Sequence, residues 1–198
     1  MTTLVLASTS QTRKQILTDA GFCVEVSSTS FVEALEQQKD ASARAIARAV
    51  GKAGGVAAAD GRWVLGCDQV AESDGFFFGK PKNATAHYQR LISLRGKRHS
   101  LHCGYAIVEP HGKVHTGVEV TELLMRADVT DDEVAAYVAM GEGKGCAGGY
   151  AIEGHAGLFF ANTTGDWNNI LGLPLFRIVD QLRVLGWRYA ESGFGVNQ

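Results

Sequence analysis

The chain has no excess of positive charge. Nineteen Lys and Arg stand against 21 Asp and Glu, a formal charge of -2 with a pI near 6.3. That leaves no basic footprint for a long nucleic acid, although local cations could still hold a small anion. No apolar run reaches the length of a membrane span. The start, Met1 to Leu6, has neither the basic region nor the length of a signal peptide. A cytoplasmic location is therefore expected. The four cysteines, Cys23, Cys67, Cys103 and Cys146, lie far apart and form no C-x-x-C pair. This is the pattern of separate thiols in a reducing compartment. Zinc lacks its spacing as well: neither His99 with His102 nor His111 with His115 has a cysteine at finger distance. No repeat is visible, and no linker is long enough for two independent domains. Residues 1–198, 45% hydrophobic, are expected to form one domain with a sizeable core.

What the chain does have is an α/β pattern. Leu4 to Ala7 reads as a short buried strand. A hydroxyl-rich turn, Ser8-Thr9-Ser10, leads into a helix from Gln11 to Ala20 with Ser10 as its N-cap. Arg13 and Lys14 fall in the first turn, where cations oppose the helix dipole. They are poor choices for helix stability alone, and a phosphate at that N-terminus would explain them. The turn is not a Walker loop, because its glycines are missing. Cys23 to Ser27 alternates as a strand, and Ser28 to Asp40 reads as a loop carrying Glu33. An alanine-rich helix follows from Ala41 to Ala59, with Arg48 and Lys52 on one face, and Gly54-Gly55 either weakens its middle or ends it early.

Trp63 to Ala71 reads as a strand. Its apolar start stops at Gly66, and Asp68-Gln69 follow at once, the place where ligand chemistry collects in an open α/β sheet. Asp68 there either caps a turn or does chemistry. Asp74-Gly75 signals a hairpin that ends at Gly79-Lys80-Pro81. A helix from Asn83 to Leu94 is stopped by Gly96. Two long strands, His99 to Val108 and Lys113 to Met125, join through Glu109-Pro110-His111-Gly112. Thr130-Asp131-Asp132-Glu133 is a capping box opening a helix that reaches about Met140. Beyond the glycine-rich stretch 141–149, Gly148 to Gly154 and Leu158 to Ala161 read as strands, Asp166 to Asn169 as a polar turn. Pro174 opens the last helix, with Leu175, Ile178, Val179 and Leu182 inward.

Several of these stretches, in this order, resemble the Maf family of nucleoside triphosphate pyrophosphatases. The likeness runs from about Leu4 to Ile178. It is carried by Leu6-Ala7-Ser8-Thr9-Ser10 with Arg13, Glu33, Lys52-Ala53, Gly66-Cys67-Asp68-Gln69-Val70, Gly79-Lys80-Pro81, Gly96 with His99, Ile152-Glu153-Gly154 and Asn169 to Pro174. The resemblance implies a Maf/ITPase-like α/β fold: an elongated, curved, mixed β-sheet flanked by helices, with two lobes and a cleft. It implies hydrolysis of the α–β phosphoanhydride of a nucleoside triphosphate to the monophosphate and pyrophosphate. Asp68 matches the family's proton acceptor, with Lys80, Lys52 and Arg13 completing the catalytic set. Ser8, Ser10, Arg13, Lys52 and Lys80 match its phosphate-binding positions. Glu33 and Asp68 would hold a divalent cation, Mg2+ or Mn2+, which keeps several waters and takes one or two carboxylates. A homodimer is a family expectation only.

The base is implied by Thr12, Gln69 and Glu153. Asp68-Gln69 and Glu153 are similar to the 7-methyl-GTP pyrophosphatase branch. An ionised Glu only accepts hydrogen bonds. Guanine offers N1–H and its amino group side by side, whereas uracil and thymine offer one donor between two acceptors. Thr12 departs from that branch, which has a tryptophan able to stack on a cationic base; Trp167 or Phe31 would have to substitute. Further departures are Gln11 for a proline, Val32 for an acid and Cys103 for a threonine. The alternatives are a pyrimidine or broad house-cleaning pyrophosphatase, and a nucleotide-binding regulator of septum formation without turnover.

Overall fold

The computed structural model describes residues 3–32, 38–56 and 61–187. Glu33, expected near a metal, lies outside them. Seven strands form one mixed sheet: β1 (Leu4–Leu6), β2 (Val24–Val26), β3 (Trp63–Ser73), β4 (Phe76–Phe78), β5 (Arg98–Val108), β6 (Val114–Met125) and β7 (Phe160–Thr164). The order is β2-β1-β3-β5-β6-β7, with β4 paired to the far part of β3. β1 is parallel to β2 and β3; all other pairs are antiparallel. The helices are α1 (Gln11–Asp19), α2 (Ala41–Gly54), α3 (Ala84–Leu94), α4 (Asp131–Met140), α5 (Trp167–Ile170) and α6 (Leu175–Val184). None of them is long and apolar enough to cross a membrane.

The expected caps are made. Ser10, Asp40 and Asn83 each accept a backbone N–H of the third residue on, and Thr130 with Glu133 completes a reciprocal capping box. One face of the sheet is covered by α2. Its buried stripe, Ala41, Ala45, Ala49 and Ala53, lies directly on the strands. Small residues are required on both sides of that contact. A Cβ on Gly66 would overlap the Ala49 carbonyl oxygen and lie 2.9 Å from the Ala53 nitrogen. A Cβ on Gly104 would run into the backbone of Ala45. The opposite face carries two apolar clusters. In one, Leu4, Leu6, Leu65 and Ile107 pack with α1 and α6 through Leu17, Ile178 and Leu182. In the other, Leu101, Leu123 and Met125 pack with α3 and α4 through Leu91, Leu94, Val134 and Tyr137.

Four expectations are corrected. The strand expected over Trp63 to Ala71 runs on to Ser73, with β5 paired to it from Val64 to Glu72, and does not end where its apolar start does. Asp68 is therefore inside a strand, not beyond one. Residues 148–154 form successive turns instead of a strand: Gly149 has φ +82°, and the local bond Gly154 N–H to Ala151 O closes the chain on itself. Tyr150 in that stretch is buried in the α3–α4 cluster, which explains its apolar signature. His155–Phe159 is a 3-10 helix, so β7 begins only at Phe160. The polar turn at Asp166 is the N-cap of α5, one helical turn.

Candidate active site

A cavity of about 730 Å³ opens where β1 ends. β1 pairs with β3 only as far as Leu6 opposite Leu65, and the chain then leaves through Ser8 into α1. β3 is then unpaired on that edge until β4 joins it at Ala71, so Asp68 lies beside the gap between β1 and β4. On its other edge Asp68 is in register with Gly104. The side chain is 7% exposed and points to the α2 side of the sheet, where Lys52 meets it. Lys52 of α2 donates to its Oδ1, and Arg48 Nη1 stands 3.7 Å from its Oδ2. One helical turn separates those two cations, which puts both on the same stripe of α2. Asp68 Oδ2 is buried and has no hydrogen-bond partner among the described residues. Arg48 was seen in the sequence only as a companion of Lys52; its place at the carboxylate follows from how close α2 sits to the strands.

Ser8 and Ser10 line the cavity, as do Thr12 and Arg13. Ser8 Oγ accepts from Ser10 N–H at 3.2 Å and from Arg13 Nη1 at 3.3 Å. Arg13 also donates from Nε to Gly172 O at 2.7 Å and from Nη1 to the Cys67 carbonyl at 2.8 Å. Its unfavourable position in the first turn of α1 thus has a structural reason beside any phosphate. It ties α1 to β3 next to Asp68 and to the 170–172 turn. Lys14 is exposed and does not line the cavity.

The other end is made of loops. Lys80, after β4, lines it with Phe78 and Gly79. Cys146, Ala147, Gly148, Tyr150 and Glu153 line it from the glycine-rich stretch. Lys80 and Glu153 are both exposed at this rim. Burial pushes the Cys146 thiol up, Glu153 adds to that, and Lys80 pulls it down, so the acid and the amine flank the same sulfur. Gln69 sits between the two ends. Its Nε2 donates to Asn169 O at 2.6 Å and Ile170 O at 3.2 Å. Both amide hydrogens are used, so it can offer a ligand only its oxygen. Neither Phe31 nor Trp167 lines the cavity: Phe31 packs against Gly51 of α2, and Trp167 is half exposed elsewhere. The aromatic side chains that do are Phe78 and Tyr150, which no spacing in the sequence connects.

Cys67 and Cys103 are held in the thiol form by burial. Burial pushes Cys67 up to about 12, against the pull of Arg13 and Lys52, and burial raises Cys103 well above the ordinary value. Asp68 Oδ2, a hard oxygen donor without a hydrogen-bond partner among the described residues, is of the type that a magnesium-type cation takes. Among the described residues no three His, Cys, Asp or Glu gather closely enough to cage one.

The model of the family described as Maf-like protein matches residues 3–185. The chain belongs to the Maf-like family. This Maf-like chain is 38% identical over 174 residues to a nucleoside triphosphate pyrophosphatase of Synechococcus elongatus, covering 87% of each. It is 34% identical over 191 residues to a dTTP/UTP pyrophosphatase of Moorella thermoacetica, covering 94% of this chain and 96% of that one. Among solved structures, a HAM1 protein from Coxiella burnetii overlays with a TM-score of 0.45 at 17% identity, over 66% of this chain and 76% of that one. Of the Maf positions expected from the sequence, Asp68, Lys52, Lys80, Arg13, Ser8, Ser10, Thr12, Gln69 and Glu153 all line one cavity.

Proposed function

We propose that this Maf-like enzyme hydrolyses the α–β phosphoanhydride of a nucleoside triphosphate, with a guanine nucleotide, 7-methyl-GTP in particular, as its preferred substrate. The observation that carries the chemistry is Asp68: a buried carboxylate facing a cavity, one oxygen held by Lys52 and the other without a hydrogen-bond partner. A water beside that second oxygen would give its proton to Asp68 as its oxygen bonds to the α phosphorus. The bond from the α phosphorus to the bridging oxygen breaks, and pyrophosphate leaves with the electron pair. Lys52 and Arg48, beside Asp68, would offset the charge that grows on the phosphoryl oxygens. Arg13, Ser8 and Ser10 line the same end and offer donors to the phosphate chain. Glu33 and Asp68, as the resemblance implies, would hold a divalent cation together with the phosphates. When bound, that cation offsets the charge of the triphosphate and polarises its oxygens.

The base preference rests on acceptors. Gln69 has only its oxygen to offer, and Glu153 is a carboxylate at the rim. Two acceptors suit the paired donors of guanine, and the positive charge of a 7-methylated base suits Glu153. Because Glu153 is exposed, water competes for it, so discrimination of tens-fold is expected here, well below the ~10⁴ of a buried polar site. The second reading is a pyrimidine or broad specificity, favoured by relatives such as the Moorella thermoacetica enzyme, whose name gives dTTP and UTP. A regulator without turnover would have no use for the buried acid between two cations. Pyrophosphate release from a panel of 7-methyl-GTP, GTP, UTP, dTTP and CTP with Mg2+ and Mn2+ tests these readings. The highest kcat/KM is expected with 7-methyl-GTP. A maximum with UTP or dTTP would replace the base assignment, and release from none of the five would remove the catalytic one.

A further inference from the structure

The loop end of the cavity has little secondary structure of its own. Cys146 N–H bonds to Gly143 O and Gly149 N–H to Cys146 O, both local turns. Nothing in that ladder fixes where the loop sits relative to Lys80, on a different segment altogether. The link is made by α3. Arg90 Nη1 donates to the Gly79 carbonyl and, at 3.1 Å, to the Ala147 carbonyl. Its guanidinium carbon lies 4.8 Å from the centre of the Phe78 ring. Phe78, Gly79 and Ala147 all line the cavity, whereas Arg90 does not. One turn earlier on the same helix, buried His87 donates from Nε2 to the Gly149 carbonyl at 2.5 Å. Gly149 lies so close to α3 that a Cβ there would meet His87 at 3.3 Å and Arg90 at 3.6 Å.

A planar fork with hydrogens diverging from one nitrogen suits two carbonyls from separate segments, and its flat face suits an aromatic ring. An ammonium on a flexible stem reproduces neither as well. We propose that Arg90 is a positioning residue: it ties the Phe78–Lys80 exit to the Cys146–Gly148 loop and so sets the distance across the cavity between Lys80 and Glu153. The proposal rests on the reading of this cavity as the triphosphate site. His87 provides a separate anchor, so the loop remains attached to α3 when Arg90 is changed.

The test compares wild type with Arg90→Met and Arg90→Lys. Amide hydrogen exchange is followed segment by segment, and pyrophosphate release is measured on the best triphosphate of the panel. In Arg90→Met, residues 79–82 and 145–149 should both exchange about 10-fold faster, the size expected from one lost hydrogen bond, with β3, β5 and α2 unchanged. KM should rise about 10-fold with kcat within about threefold, because binding geometry is disturbed and the Asp68 end is not. Arg90→Lys should fall between the two. Loosening of only one loop, of neither, or of the whole molecule would overturn the tether. Loosening of both loops with unchanged KM would overturn its role in the site. If the wild type releases pyrophosphate from no triphosphate, the proposed activity fails by itself, and the exchange data still judge the tether.

Discussion

The two ends of the cavity are built in different ways. At the Asp68 end, Asp68, Lys52, Arg48 and Arg13 stand on a strand or a helix and Ser10 is a helix cap, with Ser8 in the short turn between β1 and that cap. Asp68 is locked in register with Gly104, and α2 reaches it because glycine and alanine let the helix lie on the strands. At the Glu153 end, the lining comes from turns, and their positions depend on side-chain bonds from α3, from Tyr137 and from His99. Tyr137 accepts the Ala151 N–H at 2.9 Å, and His99 Nε2 shares a 2.6 Å hydrogen bond with the Tyr150 hydroxyl. Reacting groups need positions accurate to a fraction of an ångström, which regular elements provide. A site that selects among bases can be remodelled more freely when it rests on loops. On the proposed reading, the difference between the two ends predicts that chemistry and specificity are separable by mutation.

That separation can be broken at the rigid end first. Gly66→Ala should cost about 3 kcal/mol, because the added methyl meets α2 backbone atoms that cannot swing aside. It should also depress turnover by lifting Lys52 and Arg48 from Asp68. Denaturant unfolding and pyrophosphate release measure the two effects, and an unperturbed variant would mean that α2 is not tightly seated.

At the loop end, His99 makes stability depend on pH. Burial lowers it to about 4 from an ordinary 6.5. The unfolded chain takes up the proton first as pH falls, so the stabilisation is complete above pH 6.5. It is lost progressively down to about pH 4, and the total is about 3 kcal/mol at most. His99→Gln should remove about one proton from the pH dependence of unfolding in that window. It should leave kcat at pH 7 within a few-fold while shifting KM. A slope unchanged from wild type would show that His99 is not the group responsible.

The smallest expected effect is at Glu153. Glu153→Gln should lower the ratio of kcat/KM for 7-methyl-GTP over UTP by about 10-fold, consistent with an exposed acceptor, and leave stability unaltered. An unchanged ratio would place base selection elsewhere, with Gln69 and Thr12 the next residues to vary.

The sequence made the Asp68 end readable. Alternation, caps and turn signals set the strands and helices, and the family likeness placed Asp68, Lys52 and Arg13 on them. It misjudged residues 148–154. Tyr150 and Ile152 look like one face of a strand, yet they are buried because turns insert them between α3 and α4. Nothing local distinguishes those cases when glycines surround the apolar residues. Arg90 and Phe78 were invisible for a different reason: their contacts join segments 11 and 57 residues from Arg90, and an arginine on a half-polar helix carries no periodic signature. Arg13 was noticed for its misfit with the helix dipole, but the carbonyls of Cys67 and Gly172 that it holds are a property of the assembled fold.

The central claim is that Asp68, held by Lys52 at the open side of β3, takes the proton of the attacking water. It is tested by comparing pyrophosphate release by wild type and Asp68→Asn on the best triphosphate at saturating metal, alongside nucleotide affinity by calorimetry. The account predicts a fall in kcat of about 10³-fold, within the range for losing a general base, with affinity kept within a few-fold. Turnover by the Asn variant at the wild-type rate would contradict it.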